Sequence, residues 1–425
     1  MRDAALRQSG LPHAVFLRRL AGAPSAGAPS AGAADARVSQ GAFLALRLVD
    51  LLEDAQPLYA DAFHYQHAAT ERSCRDLPAD DVEAAHLVGL VRSAADAFQE
   101  QDVRLVLPAL LAYAHHLEDV LLLDQALDVL ETATRVGGER MAASDAIAVR
   151  LRTARVLRKL NEFDRADWFY VEAGLLAKMA GDRSSELLSR IGRGYTLLGR
   201  GNLMDAEQQL REVLRDAEHL MDRRNQALAH QGLGVVLSTG GRPADAIPHT
   251  WRAFELLEDE PSRTRVLADL GVMLLTVGDT DGAECALTEV VRRGGAHEAV
   301  QNALIELMHC ASYRRNRVGF ARWRDRCEAE QTRMPPNILA DFYLKMGIGR
   351  ARFGHFDRAD EFLETARQLA TEAGLHEFVF RIERIKAGLR DCQLQCTANA
   401  AAAAEPLPQS DAVREVSASL ARFGA

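Results

Sequence analysis

The chain has 425 residues, of which 48% are hydrophobic, 26% are charged and only 6% are aromatic. This apolar content can build two or three domains or one elongated array of repeats. The formal net charge of −9 argues against a general attraction to nucleic acid or to anionic membranes. Abundant Ala and Leu, without alternating runs of Val, Ile and Thr, predict an all-α protein.

The first 37 residues have the composition of a flexible arm and linker. Residues 21–36 read AGAPSAGAPSAGAADA, and such small side chains can bury little apolar surface. The segment before them has no apolar run of the signal-peptide kind, and no apolar stretch of the chain is long enough to span a bilayer. We therefore expect a cytoplasmic protein. Only four of the 51 basic residues are Lys, which suggests a GC-rich, bacterial genome.

Residues 38–106 predict an N-terminal segment of three helices, because apolar positions recur there with helical spacing. Whether these helices are divergent repeats stays open. At the other end, residues 397–425 predict an Ala-rich spacer followed by a short amphipathic helix. Four apolar residues share one face of that helix: Val413, Val416, Leu420 and Phe423.

The strongest pattern is a repeat that runs over residues 107–372. An Ala follows a turn signal at intervals of 40, 40, 40, 37, 38 and 38 residues, and a small residue usually stands twelve positions before it. Small side chains at these places let two helices approach closely, and a single helix hairpin would leave one apolar face uncovered. The seven anchor positions are Ala126, Ala166, Ala206, Ala246, Ala283, Ala321 and Ala359.

These residues resemble the tetratricopeptide repeat (TPR) family, most closely in LAHQGLGVVLSTGGRPADAIPHTWRA, LADLGVMLLTVGDTDGAECAL and YLKMGIGRARFGHFDRADEFLETA. The period exceeds the usual 34 residues and is similar to that of bacterial peptide receptors and signal-responsive regulators. The resemblance implies an α-solenoid of stacked antiparallel helix hairpins, a right-handed superhelix, over residues 107–396 with a C-terminal capping helix. The unit around Ala321 departs from the pattern, because Asp325 and Glu328 stand where apolar residues belong.

In the TPR family the first helix of each repeat lines a concave groove, and several equivalent positions here carry cations. Counted back from the anchor Ala, the resemblance places these positions at Ala148, Leu151, Arg155, Arg158 and Lys159 in the second unit, Arg265, Ala268, Val272, Leu275 and Thr276 in the fifth, Ala303, Glu306, Cys310, Tyr313 and Arg314 in the sixth, and Asp341, Leu344, Ile348, Ala351 and Arg352 in the seventh. Within residues 150–159 there are five basic side chains and no carboxylate. The resemblance therefore implies that arginines and a tyrosine hold an acidic or C-terminal peptide segment beside apolar contacts. A solvated charged face is the alternative for each residue. The candidate partner-binding residues are Leu151, Arg155, Arg158, Lys159, Arg265, Val272, Tyr313, Arg314, Ile348 and Arg352.

On this hypothesis, the paired substitution of Arg155→Glu and Arg158→Glu should leave melting intact and weaken partner binding. The expectation assumes that both arginines face the groove, and it therefore depends on the repeat register.

No motif for catalysis or for a metal or cofactor is visible. The pairs His64/His67 and His115/His116 lack a third ligand at a recognised spacing, and GxSxG, HExxH and phosphate-loop signatures are absent. We therefore expect a non-enzymatic scaffold or adaptor that binds a protein or peptide and neither nucleic acid nor membrane. The main alternative is a signal-sensing regulator that binds a peptide or small molecule and controls a transcription or kinase partner; a motif-less enzyme comes third.

Overall fold

The computed structural model describes residues 11–21, 31–53, 60–78, 80–295, 297–396 and 410–423, and these residues are mostly helical. They contain no β-strand, so the predicted all-α fold is confirmed. None of the helices in these ranges is both long and apolar enough to cross a bilayer. The rest of the predicted arm and the spacer before the last helix lie outside the described residues.

In the part of the chain that the structure describes, four helices precede the repeats: α1 (Ala14–Ala21), α2 (Ala31–Asp50), α3 (Ala60–Arg75) and α4 (Val82–Gln99). The expectation of a loose arm over residues 1–37 fails for two of its segments. Helix α1 packs on α2 with Phe16 fully buried, and α2 begins within the predicted linker. Composition alone does not predict that α1 is packed, because Phe16 is buried in a core formed by residues from distant parts of the chain.

The helices over residues 107–372 come in seven consecutive pairs at the predicted positions. The pairs are α5 (Leu107–Asp119) and α6 (Leu123–Gly137), α7 (Ala143–Lys159) and α8 (Phe163–Ala180), α9 (Arg183–Gly199) and α10 (Leu203–His219), α11 (Arg223–Thr239) and α12 (Pro243–Leu256), α13 (Glu260–Thr276) and α14 (Thr280–Arg293), α15 (His297–Tyr313) and α16 (Arg317–Glu330), and α17 (Pro336–Arg352) and α18 (Phe356–Glu372). Helix α19 (His376–Cys396) packs on α18, as a capping helix would, and α20 (Asp411–Ala421) ends the described chain.

The turn inside each pair contains one residue in the left-handed backbone region, with φ between 55° and 83°. These residues are Leu121, Asn161, Gly201, Gly241, Gly278, Arg315 and Gly354. In six pairs this residue lies five positions before the predicted Ala anchor. In the sixth pair, five positions after Arg315 comes Phe320. The anchor of that pair is therefore Phe320, and the predicted register at Ala321 is wrong by one residue.

Phe320 takes the place of a small anchor because the neighbouring helix α17 leaves room for its ring. Gly349 faces that ring, and a Cβ atom on Gly349 would lie 2.3 Å from Phe320 Cε2. Phe320 is buried, and its ring also contacts Phe353 edge-on at 5.3 Å between centroids. A search for small anchors selects the adjacent Ala321 instead. The large Phe320 and the small Gly349 that accommodates it lie on two different helices, so α16 alone does not show that Phe320 is the anchor.

The chain divides into two compact units, residues 1–206 and residues 207–425. In the first unit, buried side chains of α1 to α7 form one core, and α7 packs against both α5 and α9. In the second unit, the largest core joins α11 to α17 with α20, and α15 packs against both α13 and α17. The first helices α5, α7 and α9 of the first unit, and α13, α15 and α17 of the second, therefore lie side by side, as the stacking of hairpins requires.

His13 ties α1 to the rest of the first unit. Its side chain is buried, with Nδ1 2.5 Å from Asp128 Oδ2 on α6 and Nε2 3.1 Å from Asp50 Oδ2 on α2. Burial by itself lowers the pKa of His13, but the hydrogen bonds to the two carboxylates outweigh it and raise this pKa to about 9. Arg47 and Arg135 pair with Asp50 as well.

Raising the pH should release α1. A histidine whose pKa is raised by folding contributes stability that is complete below its unfolded value of 6.5 and is lost as the pH rises through about 9. We expect the protection of the α1 amides against hydrogen exchange to fall by about 2–3 kcal/mol over this range. A His13→Gln variant should start less protected and show no such fall. An identical pH dependence of the two proteins would contradict this role of His13.

Candidate functional site

A cavity of about 440 Å³ lies in the second unit, lined by residues of α13, α15, α17 and α19. Three of these are the first helices of consecutive pairs, and α19 follows the last pair. The volume is within the range of sites that hold small molecules and short peptide segments. The cavity is therefore the place where side chains from several repeats can act on one ligand.

Helix α15 contributes a polar stripe to the cavity: Asn302, Glu306, His309 and Tyr313, at i, i+4, i+7 and i+11. This spacing keeps the four side chains on one helical face. With Phe320 as the anchor, the family's groove positions on α15 become residues 302, 305, 309, 312 and 313. Three of these five line the cavity, whereas Arg314 is no longer a groove position.

The other walls combine apolar and polar groups. Helix α13 provides Val272, Leu275 and Thr276, which are three of its five predicted groove positions. Helix α17 provides Asn337, Ile338, Asp341, Lys345 and Ile348, and α19 provides Phe378 and Arg381. A ligand here would meet two amide side chains, a cation on α19 and an apolar surface.

A buried ion pair crosses from α15 to α17 at the cavity wall. Lys345 Nζ lies 2.5 Å from Glu306 Oε1 and 3.9 Å from Asp341 Oδ2, and both Lys345 and Glu306 are buried. The pKa of His309 is lowered to about 2, first by burial and then by the charges of Lys345, Arg352 and Arg381. His309 is therefore a neutral hydrogen-bonding group. Among the described residues, no three His, Cys, Asp or Glu side chains are placed to hold a metal ion.

Arg352 lies beside this cavity and is held by α15. Its guanidinium carbon is 3.5 Å from the centre of the Tyr313 ring, and Nη1 donates to Ser312 Oγ at 2.7 Å. Stacking of this kind fixes the orientation of both side chains. Of the ten candidate residues, the structure thus brings together Val272, Tyr313 and Ile348 in the cavity, with Arg352 against Tyr313.

Two other candidates of the second unit lie elsewhere. Arg265 is exposed on α13 and does not line the cavity. Arg314 turns toward α14, where it pairs with Glu284 at 2.6 Å and donates to Thr280 Oγ1 at 3.1 Å. The one-residue change of register explains the direction of Arg314, because it rotates that side chain by about 100° around the helix.

The cations of α7, in the first unit, have a carboxylate partner on α5. Glu118 is fully buried and lies 2.8 Å from Arg152, 2.6 Å from Arg155 and 2.8 Å from Lys159. Arg158 stands over the Tyr195 ring at 5.2 Å. The remaining candidate on this helix, Leu151, is partly buried. The basic run therefore forms an ion network within the first unit.

Several cavity residues were not among the sequence candidates, and they share a signal that the sequence does contain. Helix α15 is apolar on most of its surface, so the polar positions Asn302, Glu306 and His309 stand out as one stripe. The register at Ala321 included Glu306 and Tyr313 but assigned groove positions to Ala303 and Cys310, both buried in the core, in place of Asn302 and His309. Asn337, Lys345 and Arg381 fall outside the groove positions that the resemblance implied.

No family model matches the sequence, and no curated protein matches it. Among solved structures, the apo form of the quorum sensor NprR from B. thuringiensis is 10% identical, with a TM-score of 0.51, over 78% of this chain and 97% of that one. A Rap protein complexed with competence and sporulation factor is 12% identical over 84% and 98%, with a TM-score of 0.45. A tetratricopeptide repeat protein from Parabacteroides merdae is 13% identical over 65% and 98%, with a TM-score of 0.38.

The fold is a TPR-like helical repeat. At these identities the similarity concerns the fold alone, and it agrees with the helix pairs and the side-by-side first helices described above. The cavity of the second unit is lined by the first helices of three pairs and by α19. The resemblance to the TPR family implied a groove lined by these first helices.

Proposed function

We propose that the protein is a non-enzymatic TPR-like binding protein that holds a short peptide segment in the cavity between α13, α15, α17 and α19. The observation that carries this proposal is the lining of the cavity, where two asparagines, a tyrosine and an arginine stand beside five apolar side chains and the charged cluster of Glu306, Asp341 and Lys345. Sites of this kind use apolar contact for affinity and a few polar groups for orientation.

The amide side chains suit a peptide backbone. Asn302 and Asn337 each offer a donor and an acceptor, and one peptide unit presents the complementary N–H and C=O. Val272, Ile348 and Phe378 provide the surface for an apolar side chain of the ligand. An extended segment could therefore be held by its backbone and anchored by one side chain.

The charges of the cavity favour a carboxylate near α19. The carboxylates of Glu306 and Asp341 compensate the charge of Lys345 within the protein, so Lys345 is not the cation that a ligand carboxylate would meet. Arg381 is exposed and lines the cavity. Arg352 lies beside the cavity, because it stacks on the cavity residue Tyr313. An acidic side chain or a free C-terminus would form charge-assisted hydrogen bonds there. The proposed acidic partner segment thus engages Arg381 rather than Arg155 or Arg314, which have carboxylate partners in the chain.

A second candidate function is that of a regulator that senses its ligand. Helix α19 packs on α18 and contributes Phe378 and Arg381 to the cavity, so a bound peptide would join α19 to α13 and α15. A ligand that contacts these helices together shifts the population toward their closed arrangement. One of the similar solved structures, with a TM-score of 0.51, is that of a quorum sensor, which agrees with this second candidate function.

The test is a screen of peptides of about three to eight residues, each with a free and an amidated C-terminus, by thermal shift followed by calorimetric titration. We expect hits that bind the wild type and lose at least about tenfold in affinity, or about 1.4 kcal/mol, with Asn302→Ala or Arg381→Glu. Free C-termini should be preferred, and binding should weaken as salt rises.

Arg358→Glu is the matched control, because Arg358 is exposed on α18 and does not line the cavity. It introduces the same change of charge in a neighbouring helix and should leave the affinity unchanged. A peptide that binds the wild type, Asn302→Ala and Arg381→Glu equally well would show that the cavity is not the binding site. The absence of any binding peptide would count against the peptide proposal itself.

A further inference from the structure

An exposed apolar stripe runs along α8, the second helix of the second pair. It consists of Trp168, Val171, Leu175 and Met179, whose spacing of i, i+3, i+7 and i+11 places the four side chains on one helical face. Their exposed fractions are 55%, 38%, 58% and 84%. Helix α8 uses its other faces to pack on α7 and α9. A contiguous exposed apolar surface of this kind marks an interaction site.

The other repeats show that stacking does not require this stripe. Trp168, Val171 and Leu175 stand two, five and nine positions after the anchor Ala166. At the same three positions, the second helices α6, α10 and α18 carry only charged or amide side chains. The equivalent residues are Asp128, Glu131 and Arg135 on α6, Gln208, Arg211 and Arg215 on α10, and Glu361, Glu364 and Gln368 on α18. The apolar surface of α8 is therefore a local feature of this helix.

The chain itself covers a comparable surface with an amphipathic helix. On α12, Trp251 stands five positions after its anchor, as Val171 does on α8. Helix α20 packs against α12 and α14 with Val416 and Leu420 buried, and Phe423 lies 6.0 Å from the Trp251 ring. The predicted amphipathic face of α20 is therefore the face that docks. An apolar second-helix surface in this fold is thus suited to a helix with a similar stripe.

A second copy of α8 in the antiparallel direction fits the stripe of the first. When Val171 of one copy lies opposite Leu175 of the other, Trp168 of each copy lies opposite Lys178 and Met179 of the other, because the residue numbers of facing positions have a constant sum. A methionine side chain adapts to an aromatic ring, and a lysine can stand over the face of an indole. The stripe is therefore complementary to itself, as a two-fold symmetric interface requires.

The charges at the two ends of the stripe favour the antiparallel direction. Asp164 precedes the stripe by one helical turn, and Arg183 follows it by four residues at the start of α9; both are exposed. Antiparallel packing brings Asp164 of each copy near Arg183 of the other, whereas parallel packing brings like charges together. Within the chain these two residues pair with Arg200 and Glu186. Exposed pairs of this kind contribute little and can be exchanged.

From this geometry we infer that α8 is a dimerisation surface, on which a second copy of the chain docks antiparallel through the same stripe. The interface has an apolar centre with a tryptophan and a charged rim, which is the usual arrangement of protein interfaces. One helix crossing buries less than the roughly 800 Å² per partner of stable complexes, so we expect a dimer that dissociates on dilution in the micromolar range. The surface belongs to the first unit and does not depend on the function proposed for the cavity.

The test is sedimentation velocity of the full chain over a dilution series from about 100 μM to about 1 μM. We expect the wild type to change from dimer to monomer in this range. Leu175→Asp should raise the dissociation constant at least tenfold, because the two copies would bring two carboxylates into the apolar centre. Gln368→Asp is the matched control, since Gln368 is exposed at the equivalent repeat position of α18. It should dimerise as the wild type does.

Both variants should keep the helical circular dichroism signal, because the two side chains are exposed. Charge reversal then tests the direction of packing. Asp164→Arg should weaken the dimer by about threefold, and the addition of Arg183→Asp should restore it. A wild type that stays monomeric throughout the series would overturn the inference, since a different occupant would then cover the stripe. A Leu175→Asp dimer as stable as the wild type, or a double charge reversal that restores nothing, would overturn it as well.

Discussion

Glu118→Ala should lower the free energy of unfolding of the first unit by about 2–3 kcal/mol. The substitution removes a buried carboxylate and leaves Arg152, Arg155 and Lys159 close together without their counter-charge. This value is below the usual cost of breaking a buried pair, because the three cations are partly exposed and water screens them. Denaturant unfolding followed by circular dichroism measures the loss.

The pH dependence of this network has a defined sign. Burial by itself raises the pKa of Glu118, but the charge of Arg155 and the hydrogen bonds from Lys159 and Arg152 outweigh it and lower this pKa to about 2. A carboxylate whose pKa is lowered by folding contributes stability above its unfolded value of 4.5, and that stability is lost as the pH falls through about 2. The difference between wild type and Glu118→Ala should therefore shrink in acid.

Glu162→Ala is the control, since Glu162 makes an exposed pair with Arg165 and should change stability by less than about 0.5 kcal/mol. If Glu118→Ala were as mild as this control, the ion network would contribute little. The structure also changes the expectation for the paired Arg155→Glu and Arg158→Glu substitution. It should now lower the melting temperature, because a new carboxylate at Arg155 would lie against buried Glu118.

Ala359→Leu should destabilise the second unit by about 1–3 kcal/mol, because it adds three carbon atoms to a filled crossing of α17 and α18. Ala359 is fully buried, and a Cβ atom on Gly347 would already lie 3.0 Å from Ala359 O and 2.7 Å from Leu363 Cγ. The two helices therefore have no free space between them at this point. Thermal unfolding of the variant measures the effect.

Arg358→Leu is the control for this substitution, since it introduces the same side chain at the adjacent, exposed position of α18. Its effect should stay within about 0.5 kcal/mol. An Ala359→Leu protein that melts like the wild type would show that α17 can move away from α18, in contrast to the packing described here.

The comparison of Ala359 with Phe320 shows how much of the site could be predicted. Small anchors recur because most helix crossings need a small residue on the second helix, and a search for Ala finds six of the seven positions. At the sixth crossing the small residue is Gly349 on the next helix and the large one is Phe320. The sequence of one helix does not show that a large residue there faces a glycine on another helix. The groove positions of α15 were therefore predicted from Ala321, one residue away from the true anchor Phe320.

The sequence by itself determined the all-α fold, the helix pairs and the amphipathic face of the last helix. These features depend on contacts between residues a few positions apart, which repeat with the helical period. Only the tertiary structure decided the partners of polar groups that lie far apart in the chain: Glu118 for Arg155, Asp128 for His13, Glu306 for Lys345 and Asp279 for Ser417. Such pairs form where stacked helices bury polar or charged side chains. Burial removes water as a hydrogen-bonding partner, so each group needs the other to satisfy its charge or hydrogen bond.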